Sequence, residues 1–260
     1  MLQAYDQLVV KLQQVRKQGW VRTRRKGPTG IGKTIEDLLG IQENNVPGPD
    51  GELIELKSAR KHSTAAGSML TLFTKSPDSR GANSILLDRL GYKVTPDSPT
   101  KELHTTLNAV SYNTLRGSQG LKIAISDSRV EIVGMTAGRT LFDDDSTPIA
   151  SREEVYCFWS RKVLQETFER KLPRLLYVKA DFRGTGENEE FWFNEAQLLE
   201  DFKFENFIDQ LRQGKILVDI RIGQWPPGHP QAGRPHDHGT GFRVFPDNLS
   251  LCFSKRTGVL

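Results

Sequence analysis

The sequence predicts an α/β or α+β protein built around a mixed β-sheet. Three features support this fold class. Helical and strand-like hydrophobic patterns alternate early in the chain, hairpin patterns follow, and a continuous apolar segment such as 175–178 is typical of a buried strand. We find no internal repeat and no low-complexity tract, so a single non-repetitive globular architecture is expected.

The predicted helices follow from apolar residues at helical spacing and from glycines placed where a helix ends. The first helix ends before Gly19, and the second ends before Gly40. Predicted helices cover residues 2–17, 33–39, 82–90, 155–172 and 195–211.

The predicted strands are short apolar or alternating segments bounded by turn residues. They cover residues 53–57, 69–73, 103–115, 121–125, 130–133, 175–178 and 216–222. The turn at 126–129 makes a hairpin of the two strands beside it. Residues 225–245 contain too many prolines and glycines for regular structure, so we expect an irregular loop there.

Composition indicates a soluble globular protein of one large domain or two lobes, because 260 residues with 37% hydrophobic and 26% charged side chains can bury a substantial core. No apolar run is long enough to cross a membrane, and the N-terminus lacks a secretory signal. We therefore expect no membrane association and a cytoplasmic location. Cys157 and Cys252 lie among apolar residues and are predicted to be buried free thiols.

The net charge of +4 is modest, but its distribution is uneven. Residues 11–33 contain eight basic side chains and no acidic one: Lys11, Arg16, Lys17, Arg22, Arg24, Arg25, Lys26 and Lys33. Such a block is either a solvated face or a phosphate-binding surface. Residues 181–209 are acidic, and we expect them to face away from any nucleic acid.

The most informative stretch is residues 48–57, Gly-Pro-Asp-Gly-Glu-Leu-Ile-Glu-Leu-Lys. A tight turn precedes a strand on which Glu55 and Lys57 share a face, because side chains two apart on a strand point the same way. Asp50 and Glu55 offer the oxygen ligands that Mg²⁺ prefers, and Lys57 can orient a water or stabilise charge on a phosphate. The alternative is an ordinary Glu–Lys pair on a solvated strand.

Residues 27–34 match the phosphate-binding P-loop pattern, G-x-x-x-x-G-K-[ST]. However, the preceding residues are too basic for a buried parallel strand, and Pro28 removes an amide from the loop. We favour a glycine-rich turn into a helix and keep a P-loop NTPase as an alternative. Glu36 lies on that helix and either supports a metal site or is exposed.

Residues 225–245 combine turn residues with hydrogen-bonding side chains that suit the edges of DNA bases. The candidates are Arg234, His236, Asp237, His238 and Arg243. Arginine pairs with guanine, and aspartate accepts from cytosine N4. The His-x-His pair is alternatively a partial metal site, or the whole segment is a solvated loop. His62, in the polar segment after Lys57, is either a DNA contact or a surface residue.

Three segments taken together resemble the MvaI/BcnI family of type II restriction endonucleases, which is related to the strand-nicking endonuclease MutH. They are residues 30–40 (Gly-Ile-Gly-Lys-Thr-Ile-Glu-Asp-Leu-Leu-Gly), 47–57, and 70–75 (Leu-Thr-Leu-Phe-Thr-Lys). The His-Asp-His segment at 236–238 also resembles the recognition loop of this family. The similarity extends over most of the chain and is strongest over 30–76.

This resemblance implies a PD-(D/E)xK nuclease core and a second, DNA-recognition lobe. The catalytic lobe would include about 1–95 and the recognition lobe about 215–260. The metal would be Mg²⁺, with Mn²⁺ as a substitute, held by Asp50, Glu55 and the Leu56 carbonyl. Lys57 would be the catalytic lysine and Glu36 an accessory acid.

The resemblance also implies a monomer that cuts double-stranded DNA at a CC-x-GG-like site, one strand at a time. A cognate DNA methyltransferase would protect the same bacterial or archaeal cell without contacting the nuclease. Arg24, Arg25, Lys33 and His62 would contact DNA, and the 234–243 loop would read its bases. The alternatives are a partner-activated nickase, a P-loop NTPase and a DNA-binding module without catalysis. Lys179, just after a predicted strand, is a further candidate to reach the phosphate.

Overall fold

A computed structural model describes residues 2–41, 54–62, 69–115, 120–135, 153–172 and 174–260. The chain divides into two units. Unit 1 consists of Met1–Leu70, Phe168–Phe204 and Phe245–Leu260. Unit 2 consists of Thr71–Thr167 and Glu205–Val244. The chain leaves unit 1 and returns to it twice, so neither unit is one continuous stretch of sequence.

The helices are α1 (Leu2–Gln18), α2 (Gly30–Leu39), α3 (Ala82–Leu90), α4 (Arg161–Lys171), α5 (Phe204–Arg212) and α6 (Leu249–Cys252). The strands are β1 (Val21–Arg22), β2 (Glu55–Arg60), β3 (Leu70–Thr74), β4 (Glu102–Leu107), β5 (Gly120–Ile125), β6 (Arg129–Met135), β7 (Glu153–Ser160), β8 (Leu175–Arg183), β9 (Glu190–Glu200), β10 (Ile216–Gln224), β11 (Pro235–Asp237), β12 (Gly241–Val244) and β13 (Lys255–Gly258). The helices predicted over 2–17, 33–39 and 82–90 are confirmed as α1, α2 and α3. Within the described residues, no helix is long and apolar enough to cross a membrane.

Unit 1 contains a mixed sheet with the strand order β1–β9–β8–β2, and β13 also pairs with β9. β2 runs parallel to β8, with Lys57 opposite Tyr177. β9 is antiparallel to β8 on one side and to β1 and β13 on the other. This arrangement confirms the predicted mixed sheet.

One face of this sheet packs against α1 and α2. Leu56 of β2, Leu176 of β8 and Phe193 of β9 form a buried cluster with Leu12 and Ile35 of the two helices. Because successive side chains of a strand point to opposite faces, the burial of Leu56 directs its two neighbours on β2 to the other face. This orientation confirms the predicted placement of Glu55 and Lys57 on one face of the strand.

Unit 2 is centred on β10, which pairs antiparallel with β4 along one edge and with β11 and β12 along the other. β3 lies beyond β12. A separate antiparallel sheet contains β5, β6 and β7. Its first two strands confirm the predicted hairpin, with Ile125 opposite Val130.

The buried face of β10 is entirely apolar. Val218, Ile220 and Ile222 are fully buried. Nearby, Phe242 of β12 is the centre of an aromatic cluster, with ring centroids 4.9 Å from Phe73, 5.2 Å from Phe207 and 5.4 Å from Trp159. Aromatic rings at such distances stabilise the core beyond the contribution of the apolar area that they bury. This layer fixes the position of β10 and leaves the other face of the strand for polar side chains.

Both cysteines are free and buried, as predicted. Burial raises the pKa of the Cys157 thiol to about 12 and that of Cys252 to about 12. Neither thiol is ionised near neutral pH, so both act as small apolar groups of the core.

The prediction of a helix over 155–172 is wrong in its first half, because β7 occupies Glu153–Ser160 and only α4 is helical. β7 pairs with β6, and Tyr156, Cys157 and Trp159 are buried. β-Branched and aromatic residues favour a pleated, half-buried surface. Here the pairing with β6 overrides a pattern that also fits a helix.

The prediction of a helix over 195–211 is wrong at its start, since β9 extends to Glu200, and its second half is confirmed as α5, which begins at Phe204. A bulge in the β8–β9 pairing shifts the register after Lys179, which lies opposite Glu195, while Ala180 lies opposite Phe193. The extra residue interrupts the period of two in β9. The sequence of β9 therefore does not show the regular alternation of apolar and polar residues that is typical of a strand.

Two further boundaries differ from the predictions. The strand predicted over 103–115 ends at Leu107, because the Asn108 side chain accepts hydrogen bonds from the main-chain N–H groups of Val110 and Ser111 and turns the chain. The segment 225–245, predicted to be irregular, contains β11 and β12.

The predicted glycine-rich turn is confirmed over 27–29, α2 begins at Gly30 rather than at Lys33, and the P-loop alternative is wrong. β1, which precedes the turn, is a two-residue strand that pairs antiparallel with β9, whereas a P-loop follows a buried parallel strand. The carbonyls of Gly27 and Pro28 accept hydrogen bonds from Arg60. The Thr34 hydroxyl, which would bind Mg²⁺ in a P-loop, is buried and donates to the Gly30 carbonyl at 2.7 Å.

Candidate functional site

Glu55 and Lys57 lie on β2 and form an ion pair. Their side chains are 15% and 25% exposed, so both remain accessible from solvent. The intervening Leu56 is anchored in the core beneath α2. The sequence therefore correctly placed the acid and the lysine together on the polar face of a strand.

The Leu56 carbonyl points to the open edge of the sheet. Glu55 N–H donates to the Arg174 carbonyl at 3.0 Å and Lys61 N–H donates to the Ala180 carbonyl at 2.8 Å, so the odd-numbered residues of β2 direct their main-chain groups towards β8. The groups of Leu56 point the other way. No strand among the described residues pairs with β2 on that side.

Glu36 lies where α2 contacts β2. A Cβ atom added to Gly32 would be 3.9 Å from Glu36 Oε1 and 3.8 Å from Ser58 Oγ. Ser58 directly follows Lys57, so the structure brings Glu36 near the strand that carries the lysine. Asp50, the other predicted metal ligand, lies outside the described residues.

The described donors at this edge suit a hard divalent cation. The Glu55 carboxylate and the Leu56 carbonyl are oxygen ligands of the kind that Mg²⁺ prefers. The described part of the chain contains no cluster of three or more His, Cys, Asp or Glu side chains able to hold a metal ion. A metal here would therefore need further ligands, from solvent or from residues such as Asp50.

The polar face of the unit 1 sheet continues from Lys57 across β8 and β9. Tyr177 lies opposite Lys57, and Lys179, two residues further along β8, lies opposite Glu195. Lys179 Nζ and Lys61 Nζ lie 2.8 Å and 3.3 Å from the two Glu195 oxygens. The predicted candidate Lys179 thus lies on the same face as Lys57, paired with an acid.

Two pKa shifts describe this face. A hydrogen bond from Lys179, assisted by Lys61, lowers the pKa of Glu195, so this carboxylate stays ionised at neutral pH. Burial, with the charges of Glu195 and Asp247 adding to it, raises the pKa of Tyr177 to about 12. The phenol is therefore neutral, and the charged groups of the face are its lysines and carboxylates.

The bulge in β9 gives this face an additional side chain. Asn194 and Glu195 are consecutive, yet Asn194 donates to Asp181 at 2.6 Å while Glu195 accepts from Lys179. A regular strand would place them on opposite faces. The bulge brings both to bear on β8.

The basic N-terminal segment is partly compensated by Asp37. Lys33 Nζ lies 3.1 Å from Asp37 Oδ1, and Arg24 Nη1 lies 3.6 Å from Asp37 Oδ2. The hydrogen bond from Lys33 is the main reason why the pKa of Asp37 is lowered. Arg25 is exposed on the loop between β1 and α2, and His62 is exposed after β2 with a left-handed φ of 52°.

Arg60, at the end of β2, is held by a buried acid. Its Nε and Nη2 donate to the two carboxylate oxygens of Glu189 at 2.6 Å and 2.8 Å. Nη1 donates to the Pro28 carbonyl, and Nη2 also donates to the Gly27 carbonyl, each at 3.2 Å. Neither Arg60 nor Glu189 was singled out from the sequence, because they are distant along the chain.

In unit 2, the second face of β10 is polar. The register aligns Asp219 with Thr106 and Arg221 with His104 on β4, and Leu217 with Arg243 on β12. These side chains alternate with the buried apolar residues of the same strands. The result is one sheet surface that is rich in hydrogen-bond donors.

Asp219 organises the donors on this surface. Its side chain is 2% exposed and its carboxylate accepts from Thr106 Oγ1 at 3.0 Å and from Arg221 Nε at 2.8 Å. Arg243 Nε lies 2.9 Å from the same carboxylate, but its N–H is not aligned for a hydrogen bond. Burial lowers the pKa of Arg243, and the Asp219 charge opposes this shift.

Histidines extend the polar surface at its β11 end. The rings of His236 and His238 are 4.3 Å apart in an edge-on arrangement. A Cβ at Gly223 would lie only 2.7 Å from His238 Nε2, so the absence of a side chain there gives the imidazole its place. Burial, together with the nearby His236 and His104, lowers the pKa of His238, which is therefore neutral at pH 7.

The other predicted residues of this loop have different surroundings. Asp237 Oδ1 accepts from the N–H groups of Gly239 and Thr240 and holds the turn between β11 and β12, while Oδ2 accepts from Ser76 Oγ. The Trp225 ring is stacked between His229 and His236, at 3.9 Å and 3.8 Å. Arg234 is exposed on the neighbouring loop.

Thr106, Arg221 and His104 were not predicted from the sequence to be site residues. A signal was present, because Asp219, Arg221 and Gly223 alternate with three isoleucine or valine residues along β10. Polar residues in such a strand indicate a sheet with one solvated face.

Comparisons with known proteins identify the family and the fold of this chain. The model of the MvaI/BcnI restriction endonuclease family matches residues 9–253. The structure titled "Restriction endonuclease MvaI-cognate DNA substrate complex" is 33% identical, covers 97% of this chain and 97% of its own, and has a TM-score of 0.78. MvaI in the absence of DNA is 32% identical, covers 100% of this chain and 99% of its own, and has a TM-score of 0.59. No curated protein matches the chain.

The Asp219 network generates a stability prediction. Asp219→Ala would leave Arg243 half-buried without its counter-ion, and we expect a loss of about 2–4 kcal/mol, below the ~3–5 kcal/mol of a fully buried pair because Arg221 is partly exposed. Asp209→Ala, which breaks an exposed pair with Arg212, should cost less than about 0.5 kcal/mol. Urea unfolding measures both, and equal stability of the two variants would contradict the assignment.

Proposed function

Because the chain belongs to the MvaI/BcnI restriction endonuclease family and is therefore a site-specific DNA-cleaving hydrolase, we propose that it hydrolyses double-stranded DNA with a divalent metal held at the edge of β2. The supporting observation is the Glu55–Lys57 pair beside the outward Leu56 carbonyl. We propose Mg²⁺ as the metal, with Mn²⁺ as a substitute.

The metal ligands in this proposal are Glu55, the Leu56 carbonyl and Asp50. The first two are adjacent at an open sheet edge, and all three offer oxygen ligands. A divalent cation bound there would neutralise charge on the phosphate and lower the pKa of a bound water. Asp50 is outside the described residues and is included as a ligand because of the sequence motif in which it lies.

Lys57 acts on the attacking water and on the phosphate. Its ammonium already contacts Glu55, so it is held beside a carboxylate that is proposed to bind the metal. From there it can orient the water and donate hydrogen bonds to the phosphate oxygens as their charge increases. Glu36, near Ser58, is proposed to support this site from α2.

DNA binding by unit 1 is assigned to four basic residues near α2 and β2. Arg24, Arg25, Lys33 and His62 are proposed to contact phosphates, which positions the duplex without reading its sequence. Lys33 and Arg24 share Asp37 in the structure, so a phosphate would compete with that carboxylate.

Base reading is assigned to the polar surface of unit 2. Arg221 and Arg243 are steered by one carboxylate, and arginine forms two hydrogen bonds with the major-groove edge of guanine. His236, His238 and Arg234 are proposed to contribute further contacts. Asp237 is proposed to act mainly by holding their loop, because its oxygens already accept internal hydrogen bonds.

We propose that the target is a short CC-x-GG-like site, and that a monomer cuts one strand and then the other. One copy of the Glu55–Lys57 pair serves one phosphodiester bond at a time. A cognate DNA methyltransferase, in the cytoplasm of the same bacterial or archaeal cell, would protect the host sites without direct contact. A partner-activated nickase, with the same chemistry, is the alternative that the experiments below distinguish.

The first prediction concerns metal-dependent cleavage. The purified protein should cut a long sequenced DNA into discrete fragments with Mg²⁺ but not with EDTA, and all ends should share one sequence. Lys57→Ala should lower the rate by about 10²-fold or more, because it removes a charge that acts on the transition state. Lys255→Ala removes an exposed lysine of the same unit, paired with Glu200, and should leave the rate unchanged.

Intact DNA in every lane would contradict autonomous cleavage and favour the partner-activated nickase. Equal rates for Lys57→Ala and Lys255→Ala would contradict the role given to Lys57. Sequencing of the fragment ends also gives the site and the cut position.

The second prediction concerns the order of cleavage. A monomer with one active site should convert supercoiled plasmid to nicked circles before linear DNA appears. A time course with enzyme in excess, resolved by gel electrophoresis, measures this intermediate. Linear DNA formed without nicked circles would show that both strands are cut together and would contradict the proposal.

The third prediction concerns base reading. Arg221→Ala should relax selectivity at guanine positions by about 1–3 kcal/mol of discrimination, about 5- to 150-fold, since it removes base contacts. Arg212→Ala, an exposed arginine of α5, should not change selectivity. Cleavage of a library of single-base site variants measures both, and unchanged selectivity of Arg221→Ala would exclude Arg221 as a base reader.

A further inference from the structure

The glycine-rich turn that precedes α2 is held by a side chain of β2, the catalytic strand that carries Glu55 and Lys57. Arg60 of β2 reaches its carbonyls at Gly27 and Pro28, each at 3.2 Å. The same guanidinium is paired through two hydrogen bonds with Glu189, at 2.6 Å and 2.8 Å. One side chain therefore links the catalytic strand, an acid just before β9 and the turn that precedes α2.

The burial of this contact makes it specific for arginine. Glu189 is 7% exposed, and an acid so deeply buried is costly unless it is paired and hydrogen-bonded. The planar fork of arginine satisfies both carboxylate oxygens and retains donors for the two carbonyls. A lysine would keep the charge, but one ammonium cannot span these four acceptors.

We call the Arg60–Glu189 pair, with its contacts to the Gly27 and Pro28 carbonyls, the clamp. Main-chain N–H groups of Thr23 and Arg24 make further contacts at the base of the loop. Thr23 N–H donates to the Glu189 carbonyl at 2.8 Å, and Arg24 N–H donates to Thr34 Oγ1 at 3.0 Å. Between these contacts, residues 24–29 are all exposed. The loop that carries Arg24, Arg25 and Lys26 is thus fixed at its base and presents its cations to solvent.

We infer that Arg60 is a positioning residue for DNA binding: with Glu189 it holds the 24–29 loop so that the cations of the loop meet the phosphates of the duplex. This inference rests on the proposed function. We assign Arg60 no phosphate contact, since four of its five N–H groups already donate within the chain. An ordered loop binds more tightly than a free one because less conformational freedom is lost on binding.

The test is single-turnover cleavage of a duplex that carries the site, with Mg²⁺, over a range of enzyme and salt concentrations. It gives the maximal rate and the enzyme concentration for half-maximal rate. Arg60→Lys and Glu189→Gln should each raise the half-saturating concentration about tenfold, a loss of about 1.4 kcal/mol. The maximal rate should stay within about twofold, since the residues that act on the phosphate are unchanged.

The salt dependence separates positioning from direct contact. The slope of log affinity against log salt reports the number of phosphates that are neutralised, about 0.9 for each. If Arg60 only positions the loop, the slope of Arg60→Gln, which removes the charge, equals that of the wild type. The double variant should be no worse than either single variant, because both changes open the same clamp.

Arg174→Lys is the matched control, since Arg174 also pairs with a glutamate of unit 1, at 3.4 Å. It should leave affinity and slope unchanged. Thermal unfolding of each variant shows that it is folded at the assay temperature.

Three outcomes would overturn the inference: an unchanged half-saturating concentration, a slope reduced by about 0.9, which means a direct phosphate contact, or a fall in maximal rate alone. Failure of the wild-type protein to cut any DNA would instead overturn the proposed function, before any variant is compared.

Discussion

The parallel pairing of β2 with β8 is the constraint on which the rest of the structure depends. Two parallel strands cannot be joined by a tight turn and need a long crossover connection. Here the crossover extends from Arg60 to Leu175 and contains most of unit 2. The pairing therefore produces the two-unit organisation, and it also leaves the outer edge of β2 free of any described strand.

The two units use the same sheet physics for different chemistry. In each, one face is apolar and buried, and polar side chains alternate onto the other face. On β2 this alternation presents an acid and a lysine beside a main-chain carbonyl, which suits phosphate hydrolysis. On β10 it presents arginines around the buried Asp219, which suits hydrogen bonding to base edges. The proposed function therefore places hydrolysis and recognition on separate units of one chain.

Local features of the site could be predicted from the sequence, and distant ones could not. The shared face of Glu55 and Lys57 depends only on the period of a strand and on the glycine and proline residues before it. The Arg60–Glu189 pair and the Asp219–Arg243 pair join residues whose proximity is set by strand pairing. No local pattern indicates such contacts. The same reason explains β9, whose alternation is interrupted by a bulge opposite β8.

The segment 27–34 shows why a motif must be judged by its surroundings. Its residues satisfy the P-loop pattern, in which main-chain N–H groups surround an anion. In this fold the carbonyls of Gly27 and Pro28 instead surround the guanidinium of Arg60. The turn therefore stabilises a cation within the chain and displays further cations outside it. Whether this loop contacts a cation or an anion depends on the strand packed against it. The eight residues of the motif do not specify that strand.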